Sequence, residues 1–259
     1  MIDGSFSLIY QIIKRGGEVM VQLKLVFQLE NMTLPLEMER VMVSFLKAAV
    51  HKYSPELFEK LYSKERSIMK TYTFSKYLPG AKFTNNKIQL SQNRFVVFFS
   101  DSNFAQLLEF YNAFVGMRRE KYPMEHNSMT LIQIVTQKRE EITDSEIVVK
   151  MQSPLIARRH ASTTNQDEYY CYHQEQFSEV VKENVTLFVQ RMAEDVSLEN
   201  FSIVPVKGKK VVVTNFKTRI DANLGVYKIT GSKELLNLLY LSGVGVRRSS
   251  GNGKFELLW

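Results

Sequence analysis

A chain of 259 residues, 44% hydrophobic and 24% charged, has the composition of an ordinary soluble globular protein, with room for one large domain or two ordinary ones. Its longest apolar runs, such as Phe95–Phe99, fall far short of a bilayer span, and nothing in the composition is collagen-like or disordered. The single cysteine, Cys171, excludes a disulfide framework and a Cys-based zinc site and makes the cytoplasm the default expectation.

In residues 1–19 Asp3 precedes the apolar stretch Phe6–Ile13 while Lys14 and Arg15 follow it, the reverse of a secretory signal. This segment is expected to be an appendage, or the product of a start codon upstream of the native one. From Met20 the period becomes ordered. Val21, Leu23, Leu25, Phe27 and Leu29 alternate as a strand, and Met38, Met42, Phe45, Leu46, Ala49 and Val50 take helical spacing. Ser54-Pro55-Glu56 predicts a second helix start, with a Ser N-cap and Pro at N1, running to Leu61. Strands are expected at Lys70–Tyr77 and Lys87–Phe99. Asp101 or Ser102 should cap a helix carrying Phe104, Leu107, Leu108, Tyr111, Phe114 and Val115, and Met129–Gln137 should close the half. The order is βαββαβ, the split βαβ of a ferredoxin-like unit.

The second half repeats the order less cleanly. Glu146–Met151 reads as a strand, Glu168–Tyr172 as a strand on an insertion, and Phe177, Val181, Val185, Phe188 and Met192 as a helix. Strands follow at Asn200–Val206 and Lys210–Arg219, with Leu224–Thr230 a third. Ser232 caps a helix over Lys233–Leu241, and Lys254–Leu258 ends the chain as a strand. The predicted class is α+β: tandem ferredoxin-like (RRM-like) domains over 20–140 and 146–259, with a boundary near Glu140–Ser145. One continuous α+β domain is the alternative.

Charge is unevenly placed. The net charge is +7, yet residues 141–200 hold 5 basic against 11 acidic residues and residues 201–259 hold 10 against 3. Positive charge concentrated in this way is the footprint of a phosphate-backbone contact, although a solvated Lys-rich face has the same composition. Within it, Leu239–Leu258 reads LYLSGVGVRRSSGNGKFELL. Gly243, Gly245, Gly251 and Gly253 flank Arg247, Arg248, Ser249 and Ser250. Such a coil can present backbone N–H groups as an anion nest beside two forked guanidinium groups. Helix before and strand after is the wrong order for a nucleotide P-loop or Rossmann turn; a Gly-rich hairpin with incidental arginines is the structural alternative.

This G-x-G-x5-G-x-G pattern resembles the signature of the CRISPR repeat-processing endoribonucleases of the RAMP superfamily. Tyr53-Ser54-Pro55-Glu56-Leu57-Phe58, Lys70-Thr71-Tyr72-Thr73-Phe74-Ser75, Tyr77-Leu78-Pro79-Gly80-Ala81 and Gly225-Val226-Tyr227 resemble that family in order and spacing, from Met20 to Trp259. Asn252 departs from it, standing where many members carry an apolar residue. The resemblance implies a metal-independent endoribonuclease, without a cofactor, that cuts CRISPR precursor RNA within its repeats to release guide RNAs. Its alternative is a non-catalytic RNA-binding RAMP subunit of a CRISPR effector complex. CRISPR repeat RNA is the implied partner, no membrane is involved, and association with an effector complex or into a homodimer stays open. A ferredoxin-like regulator of small anions is a third reading, against which the basic C-terminal segment argues.

Metal-free cleavage needs a general base for the ribose 2′-OH, a general acid for the departing 5′-oxygen, and a cation for the phosphorane. The resemblance gives the last role to Lys70. His51, at the end of the first helix, suits either proton role because imidazole titrates near neutrality; a helix C-terminal His stabilised by the dipole is the competing reading. Tyr62 and Lys64 lie in the connection where relatives carry their His, and Tyr62 is the substitute proton donor. His160, after Arg158-Arg159, is a weaker candidate, and His126 and His173 are weaker still. Lys207, Lys209, Lys210, Lys217 and Arg219, with Arg158 and Arg159, are candidate RNA contacts, and Tyr169, Tyr170 and Tyr172 could stack bases or pack. The coil should share a groove with Lys70 rather than lie beneath packed side chains.

Overall fold

The computed structural model describes residues 20–63, 65, 68–163, 165–192, 195–215 and 218–258. The segment 1–19 and residues Lys64 and Lys217 lie outside them. The described residues form two compact units: those of 20–65 with 76–141, and those of 68–75 with 142–258. Lys70 therefore belongs to the second unit, although it lies within the first half of the sequence.

In the first unit β1 (Val21–Leu29) is followed by β2 (Thr33–Leu34), α1 (Met38–Tyr53) and α2 (Pro55–Tyr62). Ser54 caps α2 as its sequence predicts, its Oγ accepting the Leu57 N–H at 3.1 Å. Next come β3 (Tyr72–Tyr77), whose residues 72–75 count with the second unit, β4 (Lys82–Phe83), β5 (Ile88–Gln89), β6 (Arg94–Asp101), α3 (Phe104–Gly116), β7 (Lys121–Met124) and β8 (Asn127–Lys138). The main sheet has the order β3-β6-β1-β8-β7. Its first four strands follow the ferredoxin-like arrangement, with β1 between the third and fourth strands of the motif. Phe27, Phe95, Phe99 and Phe110, all fully buried, form the aromatic centre with Phe45 and Phe114.

Several boundaries differ from those expected. The strand after α2 starts at Tyr72, so Lys70 precedes it. Lys87–Phe99 is two strands, not one, broken at residues 90–93. The α3 cap is Asn103, whose side chain accepts the Gln106 N–H at 2.9 Å; Asp101 instead accepts the Asn103 N–H and the Gln106 side-chain amide. β7 was not expected.

The second unit holds β9 (Glu146–Met151), the hairpin β10 (Ala157–Ala161) and β11 (Gln166–Tyr170), and α4 (Phe177–Met192). Then follow β12 (Ser202–Asn215), β13 (Thr218–Thr230), α5 (Lys233–Ser242), a 3-10 turn at Arg248–Ser250 and β14 (Phe255–Leu257). Its sheet order, β12-β13-β9-β14, is again ferredoxin-like, with β10 and β11 inserted after the first strand. The three strands expected over 200–230 are two long ones, Ser202–Asn215 paired with Thr218–Thr230. Among the described residues no helix is long and apolar enough to cross a membrane.

Candidate functional site

The second unit contains a cavity of about 450 Å³ whose charged lining consists of Lys70, Arg158, Arg191, Arg247 and Arg248, joined by His160. Among the described residues no carboxylate lines it. Its floor is apolar, with Ile68, Met69, Leu187, Phe188 and Val246. A cavity of this size, mostly apolar with convergent cations, suits an anionic ligand that also carries an apolar face.

Three structural devices bring these cations together. Asn184 on α4 fixes β10: its Oδ1 accepts the Arg158 N–H at 3.0 Å and its Nδ2 donates to the Arg158 carbonyl at 2.6 Å. Pairing of β10 with β11 sets Arg158 opposite Tyr169 and His160 opposite Asp167. The glycine-rich coil brings Arg247 and Arg248. Val246 N–H donates to the Ile156 carbonyl at 3.0 Å and Gly253 N–H to the Pro154 carbonyl at 2.9 Å, tying the coil to the chain leading into β10.

Asp167 is the electrostatic hub. Its carboxylate accepts from Arg158 Nη1 at 2.9 Å and from Tyr169 Oη at 3.2 Å, and it faces His160 Nδ1 at 2.9 Å. Arg247 Nη2 lies 3.8 Å away and donates to the Tyr169 hydroxyl at 2.9 Å. Burial alone would raise the Asp167 carboxyl, but the hydrogen bonds from His160 and Arg158 outweigh it and hold the pKa below the ordinary carboxylate value. Arg159 points to different partners, pairing with Glu183 at 2.5 Å and lying over the Tyr170 ring.

Arg248 differs from every other cation in the set. It is 5% exposed, its guanidinium carbon sits 3.4 Å from the centre of the Phe188 ring, and its Nη2 reaches the Lys70 carbonyl at 3.4 Å. Burial pushes its pKa down to about 9.

The coil packs against the start of β3. Thr73 Oγ1 donates to the Asn252 carbonyl at 2.9 Å, and a Cβ on Gly251 would lie 2.5 Å from the Phe74 ring. Asn252 is 2% exposed, and its side-chain amide donates to the Arg247 carbonyl at 3.1 Å, closing the coil on itself.

The structure therefore divides the expected residues. Lys70, Arg158, Gly245, Arg247, Arg248 and Ser249 share one cavity. Gly243, Ser250, Gly251 and Gly253 do not line it, and the three glycines are buried. The expected anion nest is largely occupied by the protein itself: the N–H groups of Val244, Val246, Gly251, Asn252 and Gly253 all donate to backbone carbonyls. These glycines serve close packing. Lys207, Lys209 and Lys210 are exposed on β12, away from the cavity lining, and Lys210 pairs with Asp221 at 2.7 Å. His51 and Tyr62 belong to the first unit, where both pack on Phe58, His51 edge-on at 4.9 Å and Tyr62 tilted at 5.5 Å between ring centres. Lys47 lies over the Tyr62 ring.

Sequence reasoning missed Asp167, Asn184 and Arg191 and underweighted His160. The signals were present only as a polar residue on the buried face of α4 and an acid seven residues after a histidine. Among the described residues no group of three His, Cys, Asp or Glu side chains could hold a metal ion. Cys171 is buried, and burial raises its pKa.

Residues 136–257 match the family model of the CRISPR-associated protein Cas6, C-terminal. The fold is shared with a solved Cas6-related protein from Pyrococcus furiosus (17% identity over 93% of this chain and 98% of that one, TM-score 0.80). It is shared also with a protein described as a RAMP protein binding different RNA substrates (20% identity, 92% and 100% covered, TM-score 0.79). A third, described as CRISPR-associated protein Cas6, gives 16% identity, 92% and 99% coverage and a TM-score of 0.72. No curated protein sequence matches the chain. Residues 136–257 are thus similar to the C-terminal part of Cas6, and the tandem ferredoxin-like fold is the one seen in the solved Cas6 and RAMP proteins.

Proposed function

We propose that this protein binds CRISPR repeat RNA and cuts it without metal. The cavity carries the reading: among the described residues five cationic side chains and one imidazole converge on an apolar floor with no carboxylate in the lining. Phosphates meet the cations and a base or ribose meets the floor, which is how a protein holds an RNA strand. The Cas6-like family and a neighbour described as binding RNA support the same substrate.

In the proposed reaction the ribose 2′-oxygen forms a bond to the adjacent phosphorus while the bond to the 5′-oxygen breaks. The 2′ proton leaves to a base and the 5′-oxygen takes a proton from an acid. The products are a 2′,3′-cyclic phosphate and a 5′-hydroxyl. Lys70 supplies positive charge for the phosphorane. For the proton transfers the resemblance offers His51, with Tyr62 as its substitute. Incubating repeat RNA with the protein in EDTA tests this: cleavage to a cyclic phosphate end is expected, and Lys70→Ala should lower the rate by about 10²-fold or more while affinity stays within a few-fold. Tight binding with an intact strand would establish the non-catalytic RNA-binding role instead. Equal loss of rate and affinity in Lys70→Ala would make Lys70 a binding residue.

A further inference from the structure

Among the arginines and the histidine that line the cavity, all but one have an ion-pair partner or an exposed end. Arg158, His160 and Arg247 share Asp167. Arg191 is exposed to water. Arg248 is 5% exposed and forms no ion pair among the described residues, and its Nη1 has no hydrogen-bond partner among them. Nη2 makes only a long contact to the Lys70 carbonyl. The Phe188 face at 3.4 Å offers the charge its one close attraction.

A buried charge without a partner is the costliest arrangement of a polar side chain, because its hydration is lost and nothing replaces it. With its pKa at about 9 the group is still protonated at neutral pH. Two planar N–H edges held rigidly against a ring are a pre-organised receptor for two oxygens of one tetrahedral anion. Arg248 lines the same cavity as Lys70 and Arg247, so additional positive charge converges on that guest.

We propose that Arg248, stacked on Phe188, is the anchor of a discrete seat for a single phosphate group within the cavity. The seat deepens the RNA-binding reading by giving one phosphate of the strand a dedicated, desolvated partner, in contrast to the water-facing contacts of Arg158 and Arg247. Its chemistry serves a phosphodiester in an RNA chain or a free phosphate equally.

The test uses inorganic phosphate as probe. Thermal unfolding of the full chain is followed as sodium phosphate is added against sodium chloride at matched ionic strength. A phosphate-specific rise in the midpoint of about 3 °C or more is expected for the wild type. Arg248→Met keeps the packing on Phe188 and removes the charge, and it should abolish the rise. Should Arg248→Met not fold, Arg248→Lys should fold and lose most of the response, since a point cation does not reproduce the fork. An equal phosphate response in the wild type and either variant, or none in the wild type, overturns the seat. Repeat RNA carrying a 2′-deoxy block against cleavage distinguishes the sources: suppression of the phosphate response assigns the seat to a chain phosphate, and an undiminished response assigns it to free phosphate. A wild type that responds to phosphate but does not bind RNA would overturn the proposed function and leave the seat standing.

Discussion

If the cavity binds RNA as proposed, Asp167 competes with it for the cations it organises, and Asp167→Asn measures that competition. The carboxylate faces Arg158 and His160 at 2.9 Å each and lies 3.8 Å from Arg247, so one negative charge is shared by three of the groups that line the cavity. Its pKa is lowered, burial being outweighed by the hydrogen bonds from His160 and Arg158, so it stays ionised wherever RNA binding is assayed. Asparagine removes the charge and keeps the shape. If one further phosphate is then neutralised, the slope of log K against log salt steepens by ~0.7 to ~0.9. Between 200 and 50 mM salt that difference compounds to roughly threefold in affinity. The fold loses a partly exposed pair, side chains 32% and 24% exposed, at about 1 kcal/mol or less. Because the folded carboxyl pKa is depressed, this contribution is present above the unfolded value of about 3.9 and disappears as pH falls through the lower folded value. The variant should therefore show a smaller acid-induced loss of stability below pH 4. Fluorescence anisotropy of labelled repeat RNA across a salt series reads the slope. Weaker binding with an unchanged or shallower slope would refute the competition and leave Asp167 as an organiser of Arg158 alone.

Asn184→Ala strips both partners from the backbone of Arg158, and two unsatisfied groups at 3.0 and 2.6 Å geometry should cost about 2–4 kcal/mol in denaturant unfolding, with RNA affinity falling as β10 loosens. A loss below about 1 kcal/mol would mean that water replaces both bonds. Gly253→Ala places a Cβ 1.9 Å from the Val244 carbonyl oxygen at a φ of +73°, so it should destabilise by more than about 3 kcal/mol. Gly116→Ala, with nothing within 4 Å, is the control and should be neutral or slightly stabilising.

The fold is legible in the sequence wherever the signal is local. Ser54 and Ser232 announce their helices because a cap is a contact within three residues, and the structure places Ser232 Oγ at 3.2 Å from the Leu235 N–H. The alternation of β1 is equally local. What failed depended on tertiary neighbours. Ala157–Ala161 reads ARRHA and carries no apolar alternation, so β10 is visible only through its pairing with β11. Gly208 looked like a turn between two strands, yet it lies inside β12, where a Cβ would fall 2.1 Å from the Tyr172 ring. The glycine is there to admit an aromatic, not to bend the chain. The same limit applies to the site. Arg247 and Arg248 are adjacent and chemically identical in sequence; one ends beside Asp167 and the other beneath Phe188, a distinction that only packing creates.

The glycines of the coil were read as a surface for a ligand, and their burial gives them a different but connected role. Gly251 admits Phe74, the Asn252 carbonyl accepts from Thr73, and Arg248 reaches the Lys70 carbonyl. The coil therefore sets the backbone on which Lys70 stands, three residues before Thr73. A long, flexible lysine can stabilise a phosphorane only if its own main chain is fixed, because a 1 Å displacement of a catalytic group is costly. Two signatures separated by more than 160 residues in sequence, the Lys-Thr-Tyr-Thr-Phe-Ser segment and the glycine-rich end, are on this view one mechanical element. The glycines permit the close approach, the approach positions the lysine, and the arginines between the glycines supply the charge that the strand of RNA would meet.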